Sequence, residues 1–461
     1  MTRSLNPRPA GSIGAGACAQ LPSILIESAK ILIEDELTTA HLFLEDGRIK
    51  RISKLPPAET ADQKINATGL IALPGMIDTH VHLRDLEYAY KETFETGTQA
   101  AAVGGFTTVL DMPNTRPPTT SNKALLEKIA HAHGRLFANV GFQAALVDNA
   151  TELGNMRSSG AVAFKLYLNK ALETFDSSDD KELLDALQAA KVCNVLVTVH
   201  AEDGATIRAV RDRSETQGKT TIGDFLRGHT PAIEVSAVRR ILAMTESLGV
   251  RAHVCHITTP DAVGLVWRTS LATCEATAHH LLLNQSIFRK QNTLAICVPP
   301  IRSEPYRRGL WRLFCMGKVD ILASDHAPHT LEEKTSTNAW TAASGVPGLE
   351  TSLPVLFTQV SRGRLSMRRL IEATATLPAK IFQLKNKGTL AEGFDADIVL
   401  VDPKARVKIR PEAFLSKAKY SPFKGVSCIG RAAYTIVNGI LVAENGTIVG
   451  PPAGTVTTSD V

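Results

Sequence analysis

From residue 70 onward, short apolar runs rich in β-branched residues alternate with longer stretches in which apolar positions recur at helical spacing. The runs read LIALPGMIDTHVHL, FTTVLDM, LFANVGF, AVAFKLYL, VLVTVHAE, RAHVCHIT, LATCEATAHHL and VDILASDHAP. Between them, segments such as KALLEKIAHAHG and SAVRRILAMTESLG set apolar residues three and four apart, as an amphipathic helix does. Strands that alternate with helices imply a parallel sheet. Eight such units predict an α/β fold in which a TIM (β/α)8 barrel spans residues 75 to 385. Two flanking pieces, 23 to 74 and 386 to 450, alternate with period two and carry the hairpin signals Glu45-Asp46-Gly47 and Glu444-Asn445-Gly446. They predict a small β-sandwich built from both chain ends beside the barrel.

Composition narrows the class. A chain of 461 residues, 44% hydrophobic and 21% charged, buries a sizeable core, and its apolar runs fall short of the roughly 20 residues that span a bilayer. The net charge of +5 is small and its lysines and arginines are scattered, which argues against nucleic acid as a partner. Seven cysteines, an odd number thinly spread, suggest free thiols in a reducing compartment, so a cytoplasmic location is expected. Residues 1 to 22 hold Arg, Pro and small residues without an acidic side chain. A disordered tail is expected there, with an organelle transit peptide as the alternative. Residues 451 to 461 are expected to form a second tail.

The strand ends carry the chemistry. Side chains on a strand alternate faces, so His80 and His82 of DTHVHLRD point the same way and Arg84 follows them. Nine of the 13 histidines (His80, His82, His200, His253, His256, His279, His280, His326 and His329) lie at such ends. In a barrel of this type the site is built at the carboxyl ends of the strands. The other four, His41, His131, His133 and His229, read as ordinary surface residues. His80, His82, His200, His256 and Asp325 offer the neutral imidazoles and the carboxylate that a divalent metal takes. Lys165 occupies the corresponding place on the fourth strand. An ammonium repels a cation, but a desolvated amine can add carbon dioxide and become an anionic carbamate with two oxygens. Read alone, Lys165 is a salt-bridged barrel lysine; its neighbours favour the carbamate.

The motifs DTHVHLRD, DMPNTRPPTT, FKLYL, VHAED, HVCHIT, CEATAHHL, SDHAPHTLEEK and GVPGLET resemble those of the dihydroorotases of the amidohydrolase superfamily. They are particularly similar to the dihydroorotase domain of the animal multifunctional pyrimidine-synthesis enzyme. The resemblance implies a zinc-dependent hydrolase of pyrimidine biosynthesis that interconverts N-carbamoyl-L-aspartate and L-dihydroorotate. It implies one zinc on His80, His82, Lys165 and Asp325 and another on carboxylated Lys165, His200 and His256. Asp325 would be the general base and then acid. Arg84, Asn114 and His329 would hold the substrate carboxylate, and main-chain groups of Ser344 and Gly345 would meet the ring amide. A third metal on Cys255, Glu275 and His280 is implied by the animal enzyme. A homodimer and an association with aspartate transcarbamoylase belong to the same resemblance. Another cyclic amidohydrolase, of allantoinase or hydantoinase type, and a noncatalytic dihydroorotase-like scaffold subunit are the alternatives.

Two segments depart from the family pattern. CVPPIRS has Val298 where relatives place a polar substrate contact, and Arg302 is expected to compensate. NKALETF is longer than its counterpart in the animal enzyme, and Thr174 with Phe175 are expected to serve as its mobile loop over substrate.

Overall fold

The computed structural model describes residues 21 to 460 apart from residues 57, 171 and 173, so most of the expected amino-terminal tail lies outside it. Eight parallel strands form the barrel. They are strand 1 (Met76–Val81), strand 2 (Phe106–Asp111), strand 3 (Asn139–Ala145), strand 4 (Ala161–Tyr167), strand 5 (Val197–His200), strand 6 (Ala252–Val254), strand 7 (Ala272–Thr277) and strand 8 (Ile321–Ala323). Each pairs with the next in sequence, and a parallel bridge between Val81 and His326 joins the last strand's exit to the first strand. Strands 1 to 3 are buried along their whole length, as expected where helices cover the outside and side chains fill the inside.

Helix limits follow local chemistry. Ser121 caps Asn122–Ala132, and Thr93 opens Phe94–Val103 with a reciprocal capping box. Pro231–Leu248 ends at Gly249, whose φ of 68° is left-handed and suits a residue without a Cβ. No helix among the described residues is long and apolar enough to cross a membrane.

The two chain ends meet in one nine-stranded sheet, where Ile398–Lys408 pairs antiparallel with Ile71–Pro74. This sheet has its own core, in which Ile24, Ile26, Leu42 and Leu44 pack with Ile398, Leu400 and Ile436. The last residues do more than trail. Within the expected second tail, Val456–Thr457 adds a parallel strand to strand 3.

A buried ion pair braces the turn that leaves strand 1. Lys128 lies 2.6 Å from Asp111, and Asp111 accepts the main-chain N–H of Leu83 at 2.7 Å. The residues that follow, His82 and Arg84, are thereby held over the mouth of the barrel.

Candidate metal centre and active site

A cavity of about 480 Å³ opens at the carboxyl ends of the strands. His80, His82, Arg84, Asn114, His200, His256, Asp325, His329, Ser344 and Gly345 line it. Three of them leave their strands with left-handed backbone: Arg84 (φ 60°), His256 (φ 34°) and Asp325 (φ 47°). Such conformations are costly for residues with a Cβ and persist where surrounding structure enforces them. Here they turn side chains off the strand direction and into the cavity.

The histidines are aimed by their second ring nitrogens. His80 places Nδ1 2.6 Å from Glu275, and His82 places Nδ1 2.7 Å from Asn114 Oδ1. Their Nε2 atoms lie 3.4 and 3.2 Å from the same Asp325 oxygen. His200 contacts Glu202 through Nε2 at 2.9 Å, and its Nδ1 is 3.0 Å from Nε2 of His256. A ring nitrogen held by a carboxylate or amide, with the other left for a metal, is the usual arrangement of imidazole ligands. Burial, followed by the Lys165 charge, pushes His80 down to about 4. Burial also holds His82 and His256 well below the usual imidazole range, helped by Arg84 for the former and His200 for the latter. These rings therefore present lone pairs at neutral pH.

Lys165 lies beneath them, 1% exposed, with Nζ 2.8 Å from Cys255 Sγ. Nδ1 of His256 is buried without a hydrogen-bond partner. An orphaned imidazole nitrogen, neutral rings and a carboxylate shared by two of them together fit a metal centre. His80, His82 and Asp325 could hold a metal, and so could His80, Cys255 and Glu275. The second group corrects the expected third set. Glu275 is inside the barrel on strand 7 beside His80, whereas His280 sits on the helix Ala278–Leu282 beyond that strand, next to His279 and Cys297.

One wall of the cavity is cationic. Arg84 is buried, donates from Nε to Pro328 O at 3.3 Å and brings Nη2 within 3.2 Å of His329 Nε2. Lys91 is 3.2 Å from the other nitrogen of His329. Burial, then Arg84 and Lys91, push His329 down to about 2, so it meets a ligand as a neutral ring. Gly345 is already committed: its N–H donates to Ile296 O at 3.0 Å, and its carbonyl accepts from Lys334 and Tyr420. Ser344 O, 3.2 Å from His329 Nε2, remains at the rim of the cavity.

Arg302 does not reach the cavity. Its guanidinium is 4% exposed, pairs with Glu234 at 3.1 Å, and donates to Thr258 Oγ1 at 2.8 Å and to His229 O. A buried arginine must satisfy its donors locally, and this one does so on Glu234, Thr258 and the His229 carbonyl. Lys170 and Arg211 are cavity-lining cations that sequence reasoning missed. Thr174 and Phe175 line a small recess with Lys165 and Tyr167, and Tyr167 also lines the cavity.

His229 was expected at the surface but is buried, with Nδ1 3.0 Å from Glu202, and it lines the cavity with Phe225 and Trp340. Glu202 carried a readable signal, two residues after His200 in VHAED and so on the same face. His229, Phe225 and Trp340 carried none, because remote helices and loops bring them in.

A family model described as "Amidohydrolase family" matches residues 71–442. An L-hydantoinase of Paenarthrobacter aurescens is 33% identical over 436 residues, covering 92% of this chain and 95% of the relative. A dihydroorotase of Halobacterium salinarum is 37% identical over 416 residues, covering 88% and 96%. Among solved structures, an L-hydantoinase (dihydropyrimidinase) from Arthrobacter aurescens superposes with a TM-score of 0.91 at 32% identity, covering 95% of this chain and all of that one.

Proposed function

This chain belongs to the amidohydrolase family, and within that family we propose that it is a metal-dependent dihydroorotase that hydrolyses and re-forms a cyclic amide. The observation that carries the reading is the grouping of Arg84, Asn114 and His329 in the same cavity as the imidazole and carboxylate cluster. A cyclic amide bearing a carboxylate needs both halves. Arg84 offers paired N–H donors to the carboxylate, the geometry in which guanidinium binds it most strongly. Asn114, whose oxygen is engaged by His82, keeps its amide N–H₂ for the same group.

His80, His82, Lys165 and Asp325 would hold one zinc, and carboxylated Lys165, His200 and His256 the other. When bound, the metal pair supplies a nucleophile from water near neutral pH and polarises the ring carbonyl. In hydrolysis the carboxylate of Asp325 takes the proton of the attacking water and delivers it to the ring nitrogen as the C–N bond breaks. Ring closure of carbamoyl aspartate runs through the same groups in reverse. His329, neutral, fixes the carboxylate without adding charge. The buried Glu202 keeps the ring of His200 oriented.

One observation favours a second reading, a hydantoinase: Phe225, Val298 and Trp340 make part of the cavity apolar, where a 5-substituent of a hydantoin would fit. Steady-state assays of metal-replete protein with dihydroorotate, allantoin, dihydrouracil and 5-benzylhydantoin separate the two. Turnover of dihydroorotate at least about tenfold more efficient than of the others is expected. Preference for 5-benzylhydantoin would establish the second reading, and turnover of none would remove both.

A further inference from the structure

Outside the cavity, three residues of metal-binding type meet in the buried interior. His279 and His280 lie on the short helix that follows strand 7, and Cys297 on the CVPPIRS segment. Each offers one ligand atom, and the three atoms lie within 4.8 Å of one another. The residues are 2%, 3% and 1% exposed, and none lines the cavity. Nε2 of His279 has no hydrogen-bond partner. A buried polar atom left unpaired is uncommon and asks for a missing water or ion.

The surroundings of His280 decide between those. Its Nδ1 lies 2.9 Å from Thr277 Oγ1, while its Nε2 lies 2.9 Å from Pro299 O and 3.8 Å from Cys297 Sγ. A ring held at Nδ1 by a hydroxyl presents Nε2 as imidazole ligands usually do. Two imidazoles and a thiol thus meet, with the Pro299 carbonyl beside His280, and hard cations such as Mg²⁺ and Ca²⁺ favour all-oxygen sites instead.

We propose that His279, His280 and Cys297 bind a further zinc ion, with the Pro299 carbonyl as fourth ligand, in a site distinct from the catalytic cluster. Binding replaces the Cys297 S–H proton, which leaves to solvent, by an S–Zn bond. His280 is neutral, and its single proton moves from Nε2, where it faces the Pro299 carbonyl, to Nδ1, where it is donated to Thr277, so that Nε2 presents its lone pair. Burial pushes the free Cys297 thiol up to about 12, so uptake of metal releases a proton and weakens as pH falls. The ion would tie the helix Ala278–Leu282 to the segment whose Val298 forms part of the cavity wall. Its role is structural, since a closed four-ligand zinc leaves no open position.

The test is independent of which cyclic amide the enzyme turns over. Full-length protein is loaded with cobalt(II) after metal removal, and thiolate-to-cobalt charge-transfer absorption is recorded for the wild type, Cys297→Ser, His279→Gln and Cys255→Ser. Cys255 is included because it is the thiol of the catalytic cluster. The band is expected to persist in Cys255→Ser and to disappear in Cys297→Ser. Zinc content measured by plasma mass spectrometry should be one ion per chain lower in Cys297→Ser and in His279→Gln than in the wild type. No band in Cys255→Ser overturns the proposal even if the other variants fail to fold, which circular dichroism shows. An unchanged zinc count in folded Cys297→Ser also overturns it.

Discussion

Nζ of Lys165 lies 2.8 Å from Sγ of Cys255, both side chains are buried, and among the described residues no carboxylate stands within ion-pair distance of that nitrogen. A sealed ammonium without a counter-ion is costly, and a carbamate on Lys165 removes the difficulty by turning the group into a metal-binding anion. Protein prepared with ¹³C-bicarbonate is expected to show a carbamate carbon by NMR that is absent from Lys165→Ala. That variant should lose metal and at least about 100-fold in turnover, with partial recovery in millimolar acetate or propionate. Full metal content in Lys165→Ala would end the carbamate reading.

Asp325 touches two imidazoles and the cavity, and in the proposed reaction it carries a proton as well as binding metal. Asp325→Asn keeps the shape but cannot shuttle the proton. Turnover is expected to fall about 100-fold to 10,000-fold while the circular dichroism spectrum is unchanged. A variant that keeps more than about a tenth of wild-type kcat would show that the proton travels by another route.

Arg84 should discriminate between substrates by charge. Replacing it with glutamine removes a hydrogen-bonded charge pair worth about 1.5 to 3 kcal/mol, or roughly 10-fold to 150-fold in binding of a carboxylate. The specificity constant for dihydroorotate should drop by that factor, and the constant for uncharged dihydrouracil by less than about threefold. Equal losses on both substrates would mean that Arg84 shapes the site rather than reads the carboxylate.

Arg302 is expected to act on stability. Its pair with Glu234 is buried on both sides, and removing one partner of such a pair typically costs about 3 to 5 kcal/mol. Arg302→Ala is expected to lower the midpoint of denaturant unfolding clearly and to change KM for dihydroorotate by less than about threefold. A large rise in KM in a variant of unchanged stability would reinstate it as a substrate contact.

Glu350 sets a pH dependence. Burial pushes its carboxyl from 4.5 up to about 7, against the pull of the Leu415 and Ser416 N–H groups it accepts. The folded protein therefore holds this proton between about pH 4.5 and 7 while the unfolded chain has released it, and stability falls as pH rises across that window. A sealed group would contribute about 3 kcal/mol; Glu350 keeps some exposure, and about 1 to 2 kcal/mol is expected. Thermal unfolding of wild type and Glu350→Gln from pH 4.5 to 8 should show the wild type losing ground to the variant as pH increases. Parallel curves would remove Glu350 as the cause.

The alternation of strand and helix patterns determined the barrel, because parallel strands buried on both faces leave continuous apolar runs that no other architecture needs in such number. Period-two alternation likewise put His80 and His82 on one face, and the strand ends, where barrels of this type build their sites, gathered His200, His256, Asp325 and Lys165. What tertiary structure alone decided is where a side chain goes once the chain has left its strand. His280 was one residue from His279 and five from Glu275, yet a single helical turn carried it out of the barrel to Cys297, and Glu275 stayed with His80. Arg302 had the charge for substrate but met Glu234, 68 residues earlier in the chain, before it met the cavity. His229 came to the cavity just past the end of the helix Ile222–Gly228, which has no metal-site pattern of its own. Local periodicity sets the direction of a side chain only while the backbone is regular. At turns, φ values such as those of Arg84, His256 and Asp325 are imposed by packing from distant segments, and those contacts exist only in the folded chain.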